Sequence, residues 1–560
     1  MSLLNKASLI QIPSGYKDGT LYSAKPTNGD GDFTFSRGSN LAATRVNSEG
    51  LIEKGRENLF TYSNDFSQSV WVKLGAGAGS AAVVTSGFTD PNGGSNAWRL
   101  QCDLNGGTTS SDQSLIYQGG SLTGVFAFSY YVKSNTGSSQ DFAFGNGLAG
   151  YENGTATTEW QRFTAFFNCP TNNNAFIGTR GTMGTDDTLD ILIYAAQLEV
   201  GLVSTPYIET GASTAQAGIL EDMPRLDYSG GASCGHLLLE PQRSNLVTQS
   251  EYFNDSSWSS YVFGGASLTK TFGYTSPEGV DNAYKLDVVV GTGGVLFTHN
   301  FTATASVDHT LSIWMKGEVG GEKVQIDLKN TSSNGITGSL LTLTNEWKRY
   351  DLTLTNDTGT SRGFQFRMQQ SSGLSDQTIY VYGAMAESSA SYPSSYIPTY
   401  GASVTRGEDV CVNGGDSSSF NDSQGVFFFE GSTLVEAGET RVVSISDGST
   451  SNNIYMNFNN NANSFNCEVI SSGSSQFNTS VTMTKLNNNK IAIKYKENDF
   501  ALWINGVEVA TDTSGSTPTG LDRFNFDFGQ GSFDFKGNVK KALYFNTALT
   551  DDELAALTTI

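Results

Sequence analysis

The sequence has little charge, and positive charge is the scarcer kind. Charged residues make up 16% of the chain, and 33 Lys and Arg stand against 55 Asp and Glu, which gives a net charge of −22 at pH 7. A surface that binds nucleic acid needs concentrated Lys and Arg, because these side chains displace the counterions of the phosphate backbone. The composition therefore argues against nucleic acid as a partner.

Cysteine and histidine are also scarce. The chain has five cysteines and three histidines, and no two cysteines form a CxxC pair. A disulfide framework or a zinc site would need closer and more regular spacing. We therefore expect buried free thiols made in a reducing compartment and no histidine-based metal cluster. The residues concerned are Cys102, Cys169, Cys234, Cys411, Cys467, His236, His299 and His309.

Long hydrophobic runs are absent. No stretch of 18 apolar residues could span a bilayer. The first residues lack the apolar core and the small-residue cleavage site of a signal peptide. We expect synthesis in a cytoplasm and no insertion into a membrane.

Glycine and aromatic residues are abundant, with 63 Gly, 23 Tyr and 34 Phe. Short β-branched and aromatic runs, such as residues 125–132 and 191–194, are bounded by Gly, Ser, Asn and Asp, which is typical of strands joined by turns. The predicted fold class is all-β, with antiparallel sandwiches. Asn505-Gly506 predicts a tight hairpin, and a capping box from Thr550 to Glu553 predicts one terminal helix.

The chain contains a long internal repeat. A segment that opens with Asn58-Leu59-Phe60 returns at Asn245-Leu246-Val247, and later landmarks recur with an offset of roughly 187 residues, as duplicated folded units do. Glu159-Trp160-Gln161-Arg162-Phe163 answers Glu346-Trp347-Lys348-Arg349-Tyr350. The repeated positions are mostly aromatic, apolar or glycine, which favours binding or structural work over catalysis.

The repeat and the length of 560 residues predict several domains. The segment before the first copy echoes the connector before the second, since Leu51-Ile52-Glu53 corresponds to Leu238-Leu239-Glu240. The predicted division is a leader segment at 1–57, a first unit at 58–213, a connector at 214–244, a second unit at 245–403, a linker at 404–419 and a final domain at 420–560.

Each repeat unit resembles a jelly-roll carbohydrate-binding module. The resemblance rests on Asn58-Leu59-Phe60 with Asn64-Asp65-Phe66, on Phe128-Ser129-Tyr130-Tyr131-Val132-Lys133 and on Trp160-Gln161-Arg162-Phe163. It implies an exposed aromatic ring that stacks on a sugar, beside Asn, Asp or Gln. The second copy departs from the opening pattern with Glu251-Tyr252-Phe253, which puts a shared ligand site in doubt.

The candidate sugar-binding residues are Trp71, Trp98, Trp258 and Trp314. The competing interpretation is that these tryptophans belong to the core, since large aromatic side chains dominate core burial. Related modules often hold a structural calcium ion. Glu199 and Glu387 are therefore candidate calcium ligands, although no dense run of acidic residues surrounds them.

The segment from 420 to 560 resembles a concanavalin A-like or laminin-G-like lectin sandwich. The motifs are Trp503-Ile504-Asn505-Gly506 and Ala542-Leu543-Tyr544-Phe545-Asn546 followed by Leu549-Thr550-Asp551-Asp552-Glu553-Leu554. The Glu-x-Asp-x-x-Glu strand that similar sandwiches use for glycoside hydrolysis is not present. The resemblance therefore implies a lectin or a structural domain.

The whole arrangement resembles bacteriophage virion proteins of tail fibres and head fibres. The leader phrase Phe33-Thr34-Phe35-Ser36-Arg37 and the connector phrase Pro224-Arg225-Leu226-Asp227-Tyr228 carry this resemblance. It implies a virion location after assembly in the host cytoplasm, contact with other virion proteins through the leader, and a homo-oligomer, with trimers common among such fibres.

The predicted function is non-catalytic adhesion to host-surface or environmental glycans. The alternatives are a capsid decoration or fibre protein with a purely structural role and a polysaccharide depolymerase, which would need two opposed carboxylates in a cleft.

Overall fold

The protein, described here by a computed structural model, consists almost entirely of antiparallel β-strands. The structure describes residues 3–39, 41–120, 123–147, 149–169, 173–330, 338–356, 359–434, 439–459 and 463–560. Across these ranges, no helix has the length and apolar character needed to cross a membrane.

The leader, residues 1–57, forms a 3-10 turn at Leu3–Lys6 and a series of short strands. The strands are β1 (Leu9–Gln11), β2 (Tyr16–Lys17), β3 (Thr20–Leu21), β4 (Phe33–Ser36), β5 (Thr44–Val46), β6 (Ile52–Lys54) and β7 (Arg56–Asn58). The four-residue strand β4 alternates buried and exposed side chains, as expected of a strand with one face on a core.

Residues 58–213, which we name module 1, form a two-sheet sandwich. Its strands are β8 (Val72–Ala76), β9 (Val83–Phe88), β10 (Ala97–Asp103), β11 (Gln113–Gly120), β12 (Gly124–Ser134), β13 (Gln140–Asn146), β14 (Gly150–Ala156), β15 (Gln161–Cys169), β16 (Asn173–Arg180) and β17 (Thr188–Val200). One sheet has the order β15-β12-β17-β10-β9 and the other β14-β13-β16-β11-β8. Aromatic and aliphatic side chains of both sheets fill the space between them.

Residues 245–403, which we name module 2, follow the connector. The connector and the entry to module 2 contain β18 (Ala215–Ala217), β19 (Arg225–Asp227), β20 (His236–Leu239) and β21 (Arg243–Asn245), with a 3-10 turn at Ser229–Gly231. The module contains β22 (Trp258–Phe263), β23 (Ser267–Tyr274), β24 (Ala283–Val289), β25 (Gly294–Thr302), β26 (Asp308–Gly317), β27 (Lys323–Asn330), β28 (Leu340–Thr342), β29 (Lys348–Thr355), β30 (Ser361–Gln369) and β31 (Gln377–Ser388), with a 3-10 turn at Gln370–Ser372.

The two modules have the same topology. The sheets of module 2 have the orders β29-β26-β31-β24-β23 and β28-β27-β30-β25-β22, which match those of module 1 strand for strand. The pattern of inward aromatic and aliphatic residues is therefore a duplicated one. The predicted fold class, all-β with tandem antiparallel jelly-roll sandwiches, is confirmed.

The C-terminal sandwich includes strands from three parts of the chain. The linker carries β32 (Val404–Arg406) and β33 (Val410–Val412), and the remaining elements are β34 (Gln424–Thr433), β35 (Arg441–Ser446), β36 (Asn453–Phe458), β37 (Ser464–Ser471), β38 (Ser474–Thr482), β39 (Asn489–Lys496), β40 (Phe500–Ile504), β41 (Val507–Asp512), β42 (Arg523–Asn525), β43 (Gly537–Phe545) and the helix α1 (Asp551–Thr558). One sheet runs β19-β20-β43-β34-β39-β40-β41, with β1 also paired to β43, and the other runs β38-β37-β36-β35-β42.

The leader is part of the C-terminal sandwich. Leu9, Phe33 and Phe35 are buried in its core, and the rings of Phe33 and Phe524 lie 5.3 Å apart, edge to face. Strand β4 also pairs with β33 of the linker. The apolar leader residues are therefore buried against residues that lie far along the chain, such as Phe524 and Tyr544.

Two local predictions for the C-terminal sandwich are confirmed. Asn505 and Gly506 have φ of 52° and 86°, the left-handed values that a two-residue hairpin between β40 and β41 needs. Helix α1 begins with a capping box in which Thr550 and Glu553 bond each other's backbone N–H groups.

A buried ion network joins the leader, the connector and the linker. Arg225 bonds Glu240 at 2.7 Å and also pairs with Asp409, while Arg37 reaches the same Asp409 at 3.1 Å and Arg406 reaches Glu240 at 3.0 Å. These five side chains are at most 4% exposed. Because each charge would be costly to bury alone, the network fixes how these segments meet.

Candidate functional site

Trp71 and Trp258 occupy equivalent positions in the two cores. Trp71 is fully buried and donates its indole N–H to the carbonyl of Tyr62 at 2.9 Å, and Trp258 is 2% exposed and donates to the carbonyl of Gln249 at 2.8 Å. Neither ring presents a face to solvent. Their sugar-binding role stays a prediction, and their contacts are those of core residues.

Trp98 and Trp314 are half-buried. Trp98 donates its indole N–H to the carbonyl of Asn64 at 2.9 Å, and the buried Tyr284 takes its place in module 2. Trp314 lines a cavity of about 310 Å³ together with Asp227, Ser395 and Asn538, and the guanidinium of Arg349 lies 4.5 Å from its ring. These two tryptophans keep part of a ring accessible, and their role likewise stays a prediction.

The outer face of module 2 holds a lysine of the leader. Lys54 Nζ lies 5.4 Å from the ring centroid of Tyr382 and 5.5 Å from that of Tyr396, and Tyr400 Oη is 3.1 Å from the same nitrogen. Lys54 also forms ion pairs with Glu251 and Glu278. We name these five partner residues the lysine seat.

The lysine seat is buried and electrostatically matched to an ammonium group. Burial by itself would raise the pKa of Glu278, but Lys54 and Arg56 beside it hold that pKa below its ordinary value. Burial and the charge of Glu251 raise the pKa of Tyr396 well above its ordinary value, so the phenol stays neutral. The leader is fixed there by a bond from Thr44 Oγ1 to the carbonyl of Tyr396, at 2.7 Å.

Module 1 has the same face with different polar residues. Tyr207 corresponds to Tyr396, because Ser63 Oγ bonds its hydroxyl at 2.6 Å just as Ser250 Oγ bonds that of Tyr396 at 2.7 Å. Tyr194 likewise corresponds to Tyr382. The carboxylates are replaced: Asn64 stands at the place of Glu251 and Asn92 at that of Glu278, and module 1 has no residue matching Tyr400. We name the set of Tyr131, Tyr194, Tyr207, Asn64 and Asn92 the tyrosine–asparagine face.

The three tyrosines form a row across the outer sheet of module 1. Tyr131 of β12 is paired directly with Tyr194 of β17, and their ring centroids are 6.0 Å apart; Tyr194 and Tyr207 are also 6.0 Å apart. On the other side Tyr131 faces Arg162 of β15, whose guanidinium lies 5.5 Å from its ring. All three tyrosines are half-buried, and within the part of the chain that the structure describes no lysine lies over Tyr194 or Tyr207.

The polar groups of the tyrosine–asparagine face are neutral amides. Asn64 Oδ1 accepts from the backbone N–H of Ala195 at 3.1 Å and Asn64 Nδ2 donates to the carbonyl of Asn96 at 3.2 Å, which holds this side chain in place. Asn92 is exposed, and its side chain lies beside the hydroxyl of Tyr194. Burial and the nearby Asp90 raise the pKa of Tyr194, so its hydroxyl is a neutral donor and acceptor. The five side chains of the face are themselves uncharged, while the carboxylate of Glu209 lies near enough to raise the pKa of both Tyr194 and Tyr207.

The two candidate calcium ligands are also equivalent to each other. Glu199 accepts from the backbone N–H of Thr205 at 2.9 Å and from Gln197 Nε2 at 2.6 Å. Glu387 accepts from the backbone N–H of Ser394 at 3.1 Å and from its hydroxyl at 2.5 Å, and burial raises its pKa. Calcium takes six to eight oxygen ligands, whereas hydrogen-bond donors surround these carboxylates. The residues present do not fit a calcium ion.

No larger metal site accompanies these two glutamates. Within the described ranges, no three His, Cys, Asp or Glu side chains are grouped so that they could hold a metal ion. Both glutamates instead tie the end of the last strand of their module to the loop that follows.

Sequence reasoning missed the tyrosine–asparagine face. The predicted ligands were four tryptophans, and Tyr131, Tyr194 and Tyr207 were not among them. A signal was available in the paired segments Asp90-Pro91-Asn92 and Ser276-Pro277-Glu278, in which a carboxylate becomes an amide. The significance of this exchange becomes clear only from the position of Lys54, which is distant in sequence from both segments.

Comparison with known proteins gave matches to solved structures and to one family model. No curated protein matches the chain. The CBM40 of a Ruminococcus gnavus IT-sialidase bound to α2,3-sialyllactose is 21% identical, with 25% of this chain and 84% of that chain covered and a TM-score of 0.23. Domain 4 of AbnA, a GH43 extracellular arabinanase from Geobacillus stearothermophilus in complex with arabinotriose, is 13% identical, with 27% and 73% covered and a TM-score of 0.21.

Because these TM-scores are low, the two structural likenesses do not identify a ligand for this chain. The family match concerns the C-terminal sandwich and confirms the type of domain predicted for it. Residues 433–555 match the model of the concanavalin A-like lectin/glucanases superfamily.

Proposed function

We propose that this protein is a non-catalytic adhesion protein that binds neutral glycans through the tyrosine–asparagine face of module 1. The observation that supports this proposal is the exchange of both seat carboxylates for Asn64 and Asn92, on a face that no described lysine of the leader covers. The same aromatic scaffold serves an internal cation in module 2 and is left partly open to solvent in module 1.

The chemistry of the face suits a sugar ring. The C–H side of a pyranose packs on aromatic surface, and its hydroxyl groups need neutral donors and acceptors at the edge of that surface. Tyr131 and Tyr194 offer the ring surface, and the exposed amide of Asn92 offers both a donor and an acceptor. A cationic ligand would find no carboxylate at the positions that hold Lys54 in module 2.

The adhesion is proposed to serve a bacteriophage virion, as part of a tail fibre or a head fibre assembled in the host cytoplasm. The support is the resemblance of the leader and connector phrases to such proteins. Because leader strands β1 and β4 are paired inside the molecule, contacts with other virion proteins would use the exposed residues of the leader, such as Tyr22, which is 39% exposed.

The virion location can be tested separately from glycan binding. Antibodies against the purified chain should label particles in electron micrographs of a phage lysate from a host that encodes it. Particles without label would contradict the virion location and leave the glycan proposal to its own test.

A purely structural fibre or decoration role is the second candidate. The observation that favours it is the lysine seat, where an aromatic face of the same architecture is used entirely for packing within the molecule. This role predicts no saturable binding of any glycan.

The test of the glycan proposal uses the full-length chain, fluorescently labelled, on an array of neutral and charged glycans. Isothermal titration with the best ligand follows. We expect saturable binding to neutral glycans, and loss of most of it in Tyr131→Ala and in Tyr194→Ala. Tyr151→Ala is the matched control, because Tyr151 is 41% exposed on β14 of the opposite sheet of module 1.

Two results would overturn the proposal. One is the absence of binding by the wild-type chain, which would favour the structural role. The other is unchanged affinity in both face variants once circular dichroism has shown that they are folded.

A further inference from the structure

Strand β22 of module 2 is an exposed, uncharged edge. It is the last strand of its sheet, and within the described residues no strand pairs with its outer side. Tyr261 is 64% exposed, Val262 44% and Phe263 38%, and the rings of Tyr261 and Phe263 are stacked with centroids 5.6 Å apart. Residues 258–263 contain no charged residue and no proline. Natural edge strands usually carry such residues, because unpaired N–H and C=O groups invite another strand.

The equivalent edge of module 1, strand β8, does carry a charge. Lys73 faces the core residue Ile116 on β11, just as Ser260 faces the core residue Phe297 on β25, so Lys73 and Ser260 occupy equivalent places. The ammonium of Lys73 bonds the carbonyl of Gln68 at 2.9 Å. Module 1 thus has a lysine where module 2 has a serine.

The chain that follows β8 lies against the same edge. Gly75 takes the place of Val262, and a Cβ atom at Gly75 would come within 2.3 Å of the backbone nitrogen of Ala81. Side-chain bulk at this position would push that segment away. This edge of module 2 therefore differs from that of module 1 in two ways. It has a serine in place of the lysine, and it carries exposed apolar side chains.

We propose that β22 pairs with β22 of a second copy of this chain, antiparallel about a two-fold axis at Val262. In this register each Tyr261 faces Phe263 of the second copy, which makes two aromatic cross-strand pairs, and the five-stranded sheets join into one of ten strands. The occupant is a second copy because the segment is complementary to itself. With a net charge of −22, two copies repel each other least where a surface has no charge.

The dimer would carry two tyrosine–asparagine faces, one from each copy of the chain. The pairing itself does not depend on glycan binding. Strand β22 belongs to module 2, and its sheet corresponds to the sheet of module 1 that does not carry Tyr131 and Tyr194. Failure of the glycan proposal would therefore leave this inference standing, and the reverse also holds.

The first experiment is sedimentation equilibrium of the full-length chain over a wide concentration range. We expect a monomer–dimer equilibrium whose dissociation constant rises about tenfold or more in Val262→Lys, because two like charges would then face each other across the axis. The matched control is Val83→Lys, since Val83 is 54% exposed on β9, an edge strand of module 1. The control should dimerise like the wild type.

A second experiment tests the register. In a Cys234→Ser background, which removes the exposed thiol, Val262→Cys should form a disulfide-linked dimer on mild oxidation. Directly opposed residues of antiparallel strands have Cα atoms about 4.5–5.5 Å apart, within the range that a disulfide spans. Val83→Cys in the same background should stay unlinked.

The inference is overturned if the wild-type chain is a monomer at every concentration or a trimer. It is also overturned if Val262→Lys dimerises as tightly as the control. An unlinked Val262→Cys protein would reject the register centred on Val262.

Discussion

Module 1 and module 2 share a topology strand for strand, yet they use their outer faces in opposite ways. In module 2 the leader lies on the face and places Lys54 among tyrosines and two glutamates. In module 1 two asparagines replace the glutamates, and the tyrosines stay half-exposed. The difference teaches that duplication copied an aromatic scaffold, and that two polar positions decide whether it accepts a charged internal partner.

The comparison also explains the surroundings of each module. Arg406 of β32 is fully buried in the ion network, whereas its counterpart in the equivalent ladder of module 1, Ala217 of β18, is exposed. Module 2 is thus in contact with the leader, the connector and the linker.

The largest expected effect comes from removing the lysine of the seat. Lys54→Met leaves the buried Glu251 without its cation and leaves Glu278 with Arg56 alone, 3.3 Å away. Breaking a buried ion pair in this way costs about 3–5 kcal/mol of the free energy of unfolding. Urea unfolding with hydrogen exchange read by mass spectrometry should locate this loss in module 2. Lys133→Met, on the outer face of module 1, serves as the matched control and should change stability by less than about 0.5 kcal/mol.

Adding Glu251→Gln to Lys54→Met sharpens the same test, because Lys54 is the cation that pairs with Glu251. One uncompensated charge is then gone, so part of the lost stability should return. A double variant less stable than Lys54→Met would contradict the electrostatic account of the seat.

Equal losses are expected from Trp71→Ala and Trp258→Ala. Both side chains are buried in equivalent cores, so each truncation should cost about 3–5 kcal/mol through lost burial and the cavity left behind. Calorimetry of the two variants measures the cost in each module. A small loss of stability with a complete loss of glycan binding in Trp71→Ala would instead support its predicted stacking role.

A smaller difference concerns pH. Burial lowers the pKa of His299 in module 2 to about 4, while module 1 has Gln118 in the equivalent place. The unfolded state then binds more protons than the folded state between the ordinary histidine pKa of 6.5 and pH 4, so stability falls as pH falls through this window. From pH 7 to pH 5 the loss is at most about 2 kcal/mol.

The module 1 residue provides the control for this pH effect. His299→Gln should flatten the dependence of the unfolding free energy of module 2 on pH, as measured by urea titrations at pH 7, 6 and 5. A slope that persists unchanged in the variant would assign the effect to another group.

The smallest expected effect converts one face toward the other. Asn64→Glu combined with Asn92→Glu restores the two carboxylates of module 2 on a face where, among the described residues, no lysine lies over Tyr194 or Tyr207. We expect the affinity for neutral glycans to fall about tenfold, or about 1.4 kcal/mol, with Asn64→Gln and Asn92→Gln as the neutral control. Unchanged glycan affinity in the charged variant would show that the two positions do not decide ligand choice.

Much of the architecture could be predicted from the sequence. Alternating apolar runs, turn residues and the repeat are local or periodic signals, so they predicted the antiparallel sandwiches, the Asn505-Gly506 hairpin and the capped helix. The candidate site was harder to predict, because the sequence does not show whether a tryptophan side chain is buried or exposed. Trp71 and Trp258 were predicted as candidate sugar-binding residues. Only their burial in the structure distinguishes them from Trp98 and Trp314.

The sequence by itself thus determined the fold class, the duplication and the identity of the residues that differ between the copies. The tertiary structure decided where the leader goes: it adds β1 to the C-terminal sheet, buries Phe33 and Phe35 there, and places Lys54 on module 2 instead of the adjacent module 1. The physical reason is that strand pattern and turn chemistry act over a few residues. The choice between two similar aromatic faces depends on which one can neutralise a buried ammonium, and that is settled only when distant carboxylates come together.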